Sequence, residues 1–152
     1  MDFQEITKIY SARVDLQPYS QNALMLWALQ IRYLIEDIEE FASSCLTDNG
    51  DDKKCDLIWV NRDEGFAIIA QDYFSTKAKK GAPANKASDL NTAVAWVLGS
   101  EDLLAIPETI RYGVKEVREA IEKKDINQIY IYYIHNLPES INVGNELRQV
   151  KR

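Results

Sequence analysis

Apolar side chains recur along this chain with two different periods, and the change of period separates helical from extended stretches. Residues 20–45 hold the strongest helical pattern. Leu24, Trp27, Ala28, Ile31, Ile35, Ile38 and Ala42 follow at three- and four-residue steps, which places them on one stripe, with Ser20 as the expected N-cap. A shorter amphipathic helix is expected over 1–17, ended by Pro18, because a proline pushes the residue before it away from helical dihedrals. The stretch 47–52 is dense in turn formers. Residues 55–60 (CDLIWV) and 66–74 (FAIIAQDYF) are short, aromatic and β-branched, and 61–65 (NRDEG) reads as the hairpin between them. A lysine-rich loop over 77–86 follows. Ser88 can cap a helix over 88–105, and Pro107 suits the first turn of another reaching 124. Residues 128–135 (QIYIYYIH) are apolar on both faces, which predicts a strand inside a sheet. A helical pattern resumes over 140–152.

The order is α, α, β, β, α, α, β, α. A hairpin followed by helices and a further buried strand predicts an α/β fold with a mixed sheet between helical layers. No clear strand stands between the long helix and Asp56, so the hairpin either lacks a third member or pairs with something short around 45–50.

Composition narrows the chemistry. The 152 residues fit one domain, and 46% hydrophobic with 28% charged residues is a globular balance. A single histidine, His135, excludes sites needing two imidazoles, and Cys45 with Cys55 cannot complete a Cys2His2 zinc site. Phosphate-loop, dinucleotide and esterase-elbow signatures are absent from the sequence. No apolar stretch approaches the roughly 18 residues of a membrane span, and the first residues carry no signal-peptide pattern. A cytoplasmic location with reduced thiols and no membrane partner is the expectation. The polar ending NELRQVKR is compatible with a module cut from a longer protein.

The informative chemistry lies in the hairpin. If it is centred between Asp63 and Glu64, residues whose numbers sum to 127 lie opposite one another, so Asp56 faces Gln71. Their same-face neighbours Ile58, Ile69, Val60 and Ala67 are apolar, and an aspartate on a covered face needs a charged or metal partner. The alternative is a strand-end aspartate at the solvent boundary, with Gln71 hydrogen-bonded to it.

An acid at the start of one strand, followed across a hairpin by a Gln-x-Lys position on the next, resembles the PD-(D/E)XK nuclease superfamily, in its Mrr-like branch. The runs IIAQDYFSTK and IYIYYIHNLPESINVGNELRQV are similar to the N-terminal domain of the abortive infection phage resistance (AIPR) family, over most of residues 20–150. The resemblance implies a restriction-endonuclease-like three-layer core with an extra N-terminal helix, a single nuclease-like domain over 1–152. It also implies Mg²⁺ or Mn²⁺ as cofactor and DNA or RNA as partner, beside a C-terminal domain of the full-length protein. Asp56 and Gln71 would hold the metal, with Glu39 as a further acid from the first core helix. Tyr73 stands where the family has its lysine. Either Lys77, or Lys86 on the helix approach, returns an ammonium to the site, or the module binds without cutting.

The formal charge of −6 is uneven. Residues 1–51 carry three basic and nine acidic side chains; residues 52–86 carry seven and five, the only positive segment. His135 is expected to be a hydrogen-bonded strand-end histidine, and Trp27, Trp59, Trp96 and the tyrosines Tyr130, Tyr132 and Tyr133 to be packing residues.

Overall fold

The computed structural model describes residues 3–47, 55–77, 79–99, 102–137 and 147–148. Most of the turn-rich stretch 47–52, and all of the helix expected over 140–152 except helical Leu147 and Arg148, lie outside the described residues.

The hairpin has the expected register. Strand β1 (Leu57–Asn61) pairs antiparallel with β2 (Phe66–Tyr73), with Leu57 opposite Ala70, Ile58 opposite Ile69 and Val60 opposite Ala67. Its turn is built locally. The Asn61 side-chain oxygen accepts the Glu64 N–H at 3.0 Å, and the Asn61 carbonyl accepts the Gly65 N–H at 2.9 Å. Gly65 sits at φ 80°, a region open to glycine without Cβ strain.

A parallel neighbour requires a long crossover. Helix α4 (Ala84–Leu98), a 3-10 turn at Leu103–Ala105 and helix α5 (Glu108–Glu122) provide it, and β3 (Gln128–His135) then lies parallel to β2. The sheet order is β1-β2-β3, so β2 is the central strand. The inside position expected for 128–135 is therefore corrected: among the described residues β3 is an edge. Its two-sided apolar character comes instead from cover on both faces, with Ile129, Ile131 and Tyr133 meeting one core and Tyr132 and Ile134 the other.

Helix boundaries depart more than strand boundaries. α1 spans Phe3–Ala12, and Val14–Asn22 form a 3-10 helix that contains Pro18 and buries Leu16 completely. The single helix expected over 20–45 is two, α2 (Ala23–Tyr33) and α3 (Ile38–Cys45). Leu34 takes left-handed dihedrals (φ 54°, ψ 47°) and its N–H bonds the Gln30 carbonyl, which ends α2. Asp37 then caps α3 by accepting the Glu40 N–H at 3.1 Å. The break rotates the buried stripe, leaving Ile31 58% exposed while Leu24, Met25, Leu26 and Leu29 are buried. Ser20 is not the cap; Asn22 holds that position without a side-chain bond. α4 likewise starts before Ser88, because Pro83 at φ −62° delivers the chain directly into the first turn.

Helices cover both faces of the sheet, giving three layers. On one face Ile58, Ala67 and Ile69 pack against Leu90, Ala93 and Val97 of α4 and Ile110, Val114 and Val117 of α5. On the other, Leu57, Ile68 and Ala70 meet Met25, Leu26 and Leu29 of α2 and Ile38 and Phe41 of α3. Gly113 allows the close approach of α5 to β1: a Cβ there would stand 2.8 Å from Ile58 Cδ1 and 2.9 Å from Ile58 Cβ. The short pairing anticipated around 45–50 is present as an antiparallel bridge between Leu46 and Leu57, with the Thr47 N–H on the Asp56 carbonyl at 3.0 Å.

Candidate functional site

The paired register ends at Leu57 opposite Ala70, and Asp56, just before β1, stands against residues 70–72 of β2 through two hydrogen bonds, out of step with the pairing expected with Gln71. Asp56 is 6% exposed and Gln71 4%, so the solvent-boundary alternative for the aspartate does not hold. The Asp56 N–H bonds the Ala70 carbonyl at 2.8 Å, and its Oδ2 accepts the Asp72 N–H at 2.9 Å. These two bonds fix the carboxylate beside the last residues of β2. Gln71 Oε1 is buried with no hydrogen-bond partner among the described residues. A stranded acceptor of this kind costs about 1–3 kcal/mol.

On its other side Gln71 pairs in register with Tyr133, and Tyr73 pairs with His135. Side chains two apart on a strand share a face, so Gln71, Tyr73, Tyr133 and His135 form one patch at the carboxyl end of the parallel pair. Open α/β sheets bind ligands at that end. Tyr133 donates its hydroxyl to the Pro83 carbonyl at 2.9 Å, tying the patch to the start of α4. Burial, reinforced by Tyr73 and Asp72 nearby, raises the Tyr133 phenol above its ordinary value. The Tyr133 and His135 rings meet edge to face at 5.0 Å, and His135 Nδ1 accepts the Leu137 N–H at 3.2 Å. His135 is thus the hydrogen-bonded strand-end residue expected of it.

The ammonium arrives from an unexpected place. Lys79 donates to the Tyr73 hydroxyl at 2.9 Å, with its nitrogen 5.6 Å from the ring centroid. Lys77, favoured on chain proximity, is exposed and contributes its backbone: its N–H bonds Ser75 Oγ at 3.2 Å, and its carbonyl accepts the same hydroxyl. Its ammonium has no hydrogen bond or ion pair among the described residues. Lys86 is half-buried in the first turn of α4. The loop is anchored by Asn136, which is 2% exposed; its Oδ1 accepts the Ser75 N–H at 2.9 Å and its Nδ2 donates to the Ser75 carbonyl at 2.8 Å. Sequence reasoning missed Lys79, Ser75 and Asn136, since nothing in a strand period marks which residue of a lysine-rich loop turns inward.

Glu39 is exposed in the first turn of α3, a helix that packs on the sheet face opposite the α4 and α5 layer. Among the described residues no group of three or more His, Cys, Asp or Glu side chains is placed to hold a metal ion. The donors that the hairpin does bring together are one carboxylate and one amide oxygen. Trp59 packs against Tyr33, Phe41 and Phe66 at 5.4, 5.0 and 5.3 Å between centroids, and Tyr132 shares a hydroxyl bond with Tyr33, as packing residues do. Cys45 and Cys55 are buried free thiols.

No helix among the described residues is long and apolar enough to cross a membrane. No family model, curated protein or solved structure matches the chain.

Proposed function

We propose that the chain is a nuclease-like module, the N-terminal part of a bacterial phage-defence protein, that hydrolyses phosphodiester bonds of DNA or RNA with Mg²⁺ or Mn²⁺. The observation that carries this reading is the buried Oε1 of Gln71, without a hydrogen-bond partner among the described residues, next to Asp72, whose N–H the buried Asp56 carboxylate accepts. A carboxylate and an amide oxygen, both hard donors, at the end of β2 fit magnesium, which keeps several waters and takes few protein ligands. When bound, the metal supplies positive charge to the phosphoryl oxygens and lowers the pKa of a water.

The chain's own residues supply orientation. The Asp72 N–H holds the Asp56 carboxylate in place. Lys79 puts a positive charge at the Tyr73 hydroxyl, one strand step beyond Gln71, the role that the superfamily assigns to a lysine on the strand itself. The phage-defence setting and the restriction-endonuclease-like assignment of the core rest on the resemblance of the hairpin and the β3 region. The order of hairpin, crossover helices and parallel strand, and the Leu46 bridge where a first strand would pair, support the core assignment.

A second reading is an inactive module of the same architecture that binds nucleic acid or a protein partner. The tyrosine in the lysine position favours it, as does the absence, among the described residues, of any three His, Cys, Asp or Glu side chains grouped to hold a metal. The test is incubation with plasmid and with RNA, with and without Mg²⁺ or Mn²⁺. The nuclease reading expects metal-dependent cleavage that Asp56→Ala abolishes and Lys79→Ala reduces. Full-length protein that leaves both substrates intact under every metal condition supports the inactive module.

A further inference from the structure

The β1 edge of the sheet opens into a groove of about 810 Å³, remote in purpose from the Asp56–Gln71 pair. Its floor is Ile58, Trp59 and Val60 of the edge strand, and its walls are α3 on one side and α5 on the other. Among the described residues β1 has a neighbour only in β2, apart from the single Leu46 bridge at its beginning. Every second residue of an edge strand directs its N–H and C=O away from the sheet, and such a row is a template for another strand. Native proteins commonly blunt an exposed edge with lysine or proline. This one carries neither within Leu57–Asn61.

The rim decides the occupant. Glu36, Asp37 and Glu40 line the α3 side and Glu108 and Glu116 the α5 side, and among the described residues no lysine or arginine lines the groove. Glu116 is bonded by Arg62 at 3.3 Å, whereas Glu36, Glu40 and Glu108 make no ion pair among the described residues. A phosphate backbone is repelled by this rim. A second copy is disfavoured too, because pairing two such edges would bring both acidic rims together in a chain of net charge −6. Lysine or arginine side chains, alternating with apolar ones, match both the carboxylate walls and the Ile58–Trp59–Val60 floor.

We infer that the β1 groove is a docking site for an extended basic peptide segment of a partner protein, which adds a strand to the sheet at β1. Main-chain bonds along β1 give the register, and the carboxylates select the positive partner. The inference does not depend on cleavage, so it stands or falls apart from the nuclease reading.

The test titrates the chain against a fluorescent, end-blocked peptide of about ten residues alternating lysine with valine, long enough to span β1. Comparison peptides replace lysine by glutamate, or carry N-methyl groups on alternate backbone amides. The lysine peptide is expected to bind in a salt-sensitive manner and to slow amide exchange in β1. The glutamate peptide should not bind, and N-methylation on the paired edge should weaken binding at least about tenfold. The triple variant Glu36→Lys, Glu40→Lys, Glu108→Lys alters three exposed positions; with its unfolding midpoint unchanged, it should lose a similar factor. Absence of binding up to about 1 mM overturns the proposal. So does equal affinity for the N-methylated peptide, which would mean charge attraction alone, undiminished affinity of the triple variant, or a dimer in solution that closes the β1 edge with a second copy.

Discussion

Gln71→Met separates a residue kept for function from one kept for stability. The side chain is 4% exposed, and its Oε1 has no hydrogen-bond partner among the described residues. Folding strips water from that oxygen and returns nothing, a loss of about 1–3 kcal/mol. Methionine is close to glutamine in length and volume, so it leaves no sizeable cavity. Removing the stranded acceptor should therefore stabilise the fold by about 1 kcal/mol, a rise of about 2–4 °C in Tm for a chain of this size. Urea unfolding followed by tryptophan fluorescence reads this as a higher midpoint with an unchanged slope. The same variant should lose metal-dependent cleavage. Gln71→Glu sharpens the contrast, because a carboxylate buried at position 71, near that of Asp56, lowers stability without metal, and Mg²⁺ should recover part of the loss by binding only the native state. A Gln71→Met protein destabilised by more than about 1 kcal/mol would refute the reasoning, since the amide would then be a structural hydrogen-bonding group.

Gly113→Ala should cost about 1–2 kcal/mol: the new Cβ would meet Ile58 Cβ at 2.9 Å, and overpacking of about 1–3 kcal/mol exceeds the gain of about 1 kcal/mol in helix propensity; a higher urea midpoint would contradict this. Asn136→Ala removes both side-chain bonds to Ser75 and leaves buried backbone groups unpaired, so a loss of about 2–3 kcal/mol and faster proteolysis within 75–82 are expected, with Lys79→Ala, exposed and unburdened by such bonds, as the neutral comparison. Alkaline pH should weaken the fold. Burial pushes the Cys45 thiol from 9.0 up to about 12, and burial first, with the Tyr132 hydroxyl second, raises Tyr33. A group whose folded pKa is raised contributes fully below its unfolded value. Stability should therefore be flat below about pH 9 and fall by about 1.4 kcal/mol per pH unit from Cys45 alone as pH rises towards 12. Midpoints that hold steady from pH 8 to 11 would show that the thiol ionises equally in both states.

The parts of the fold that were legible are those where a local rule admits few solutions. A strand period of two and a turn ending in Gly65 leave one register, and that register carried the pairing of residue numbers summing to 127 through to the structure. The long helix failed because an apolar stripe is compatible with a break that preserves helix on both sides. Asp37 followed by Glu40 three residues later is itself a helix-start signature, and it was overridden by the continuity of the stripe from Leu24 to Ala42. β3 was located but placed wrongly in the sheet, because apolar character on both faces reports cover above and below and says nothing about a neighbour at the side.

The candidate site divides along the same line. The hairpin, legible in the sequence, carries Asp56 to residues 70–72, but the register that would set it opposite Gln71 ends one pair earlier, where the Asp56 carboxylate takes the Asp72 N–H. Lys79 meets Tyr73 in a loop whose Ser75 backbone is gripped by Asn136, on the far side of the α4–α5 crossover. A contact sustained by a side chain sixty-one residues away has no local period to betray it. The acidic groove has the same origin: α3 and α5 are separated by the whole hairpin and α4, each with an unremarkable solvated face, and the carboxylates converge because Gly113 lets α5 close on β1. Charge summed along the chain shows only that residues 1–51 are acidic, whereas the fold gathers Glu36, Asp37 and Glu40 with Glu108 and Glu116 beside β1. The polar features most open to function are those that tertiary packing assembles from positions with no sequence relation to one another.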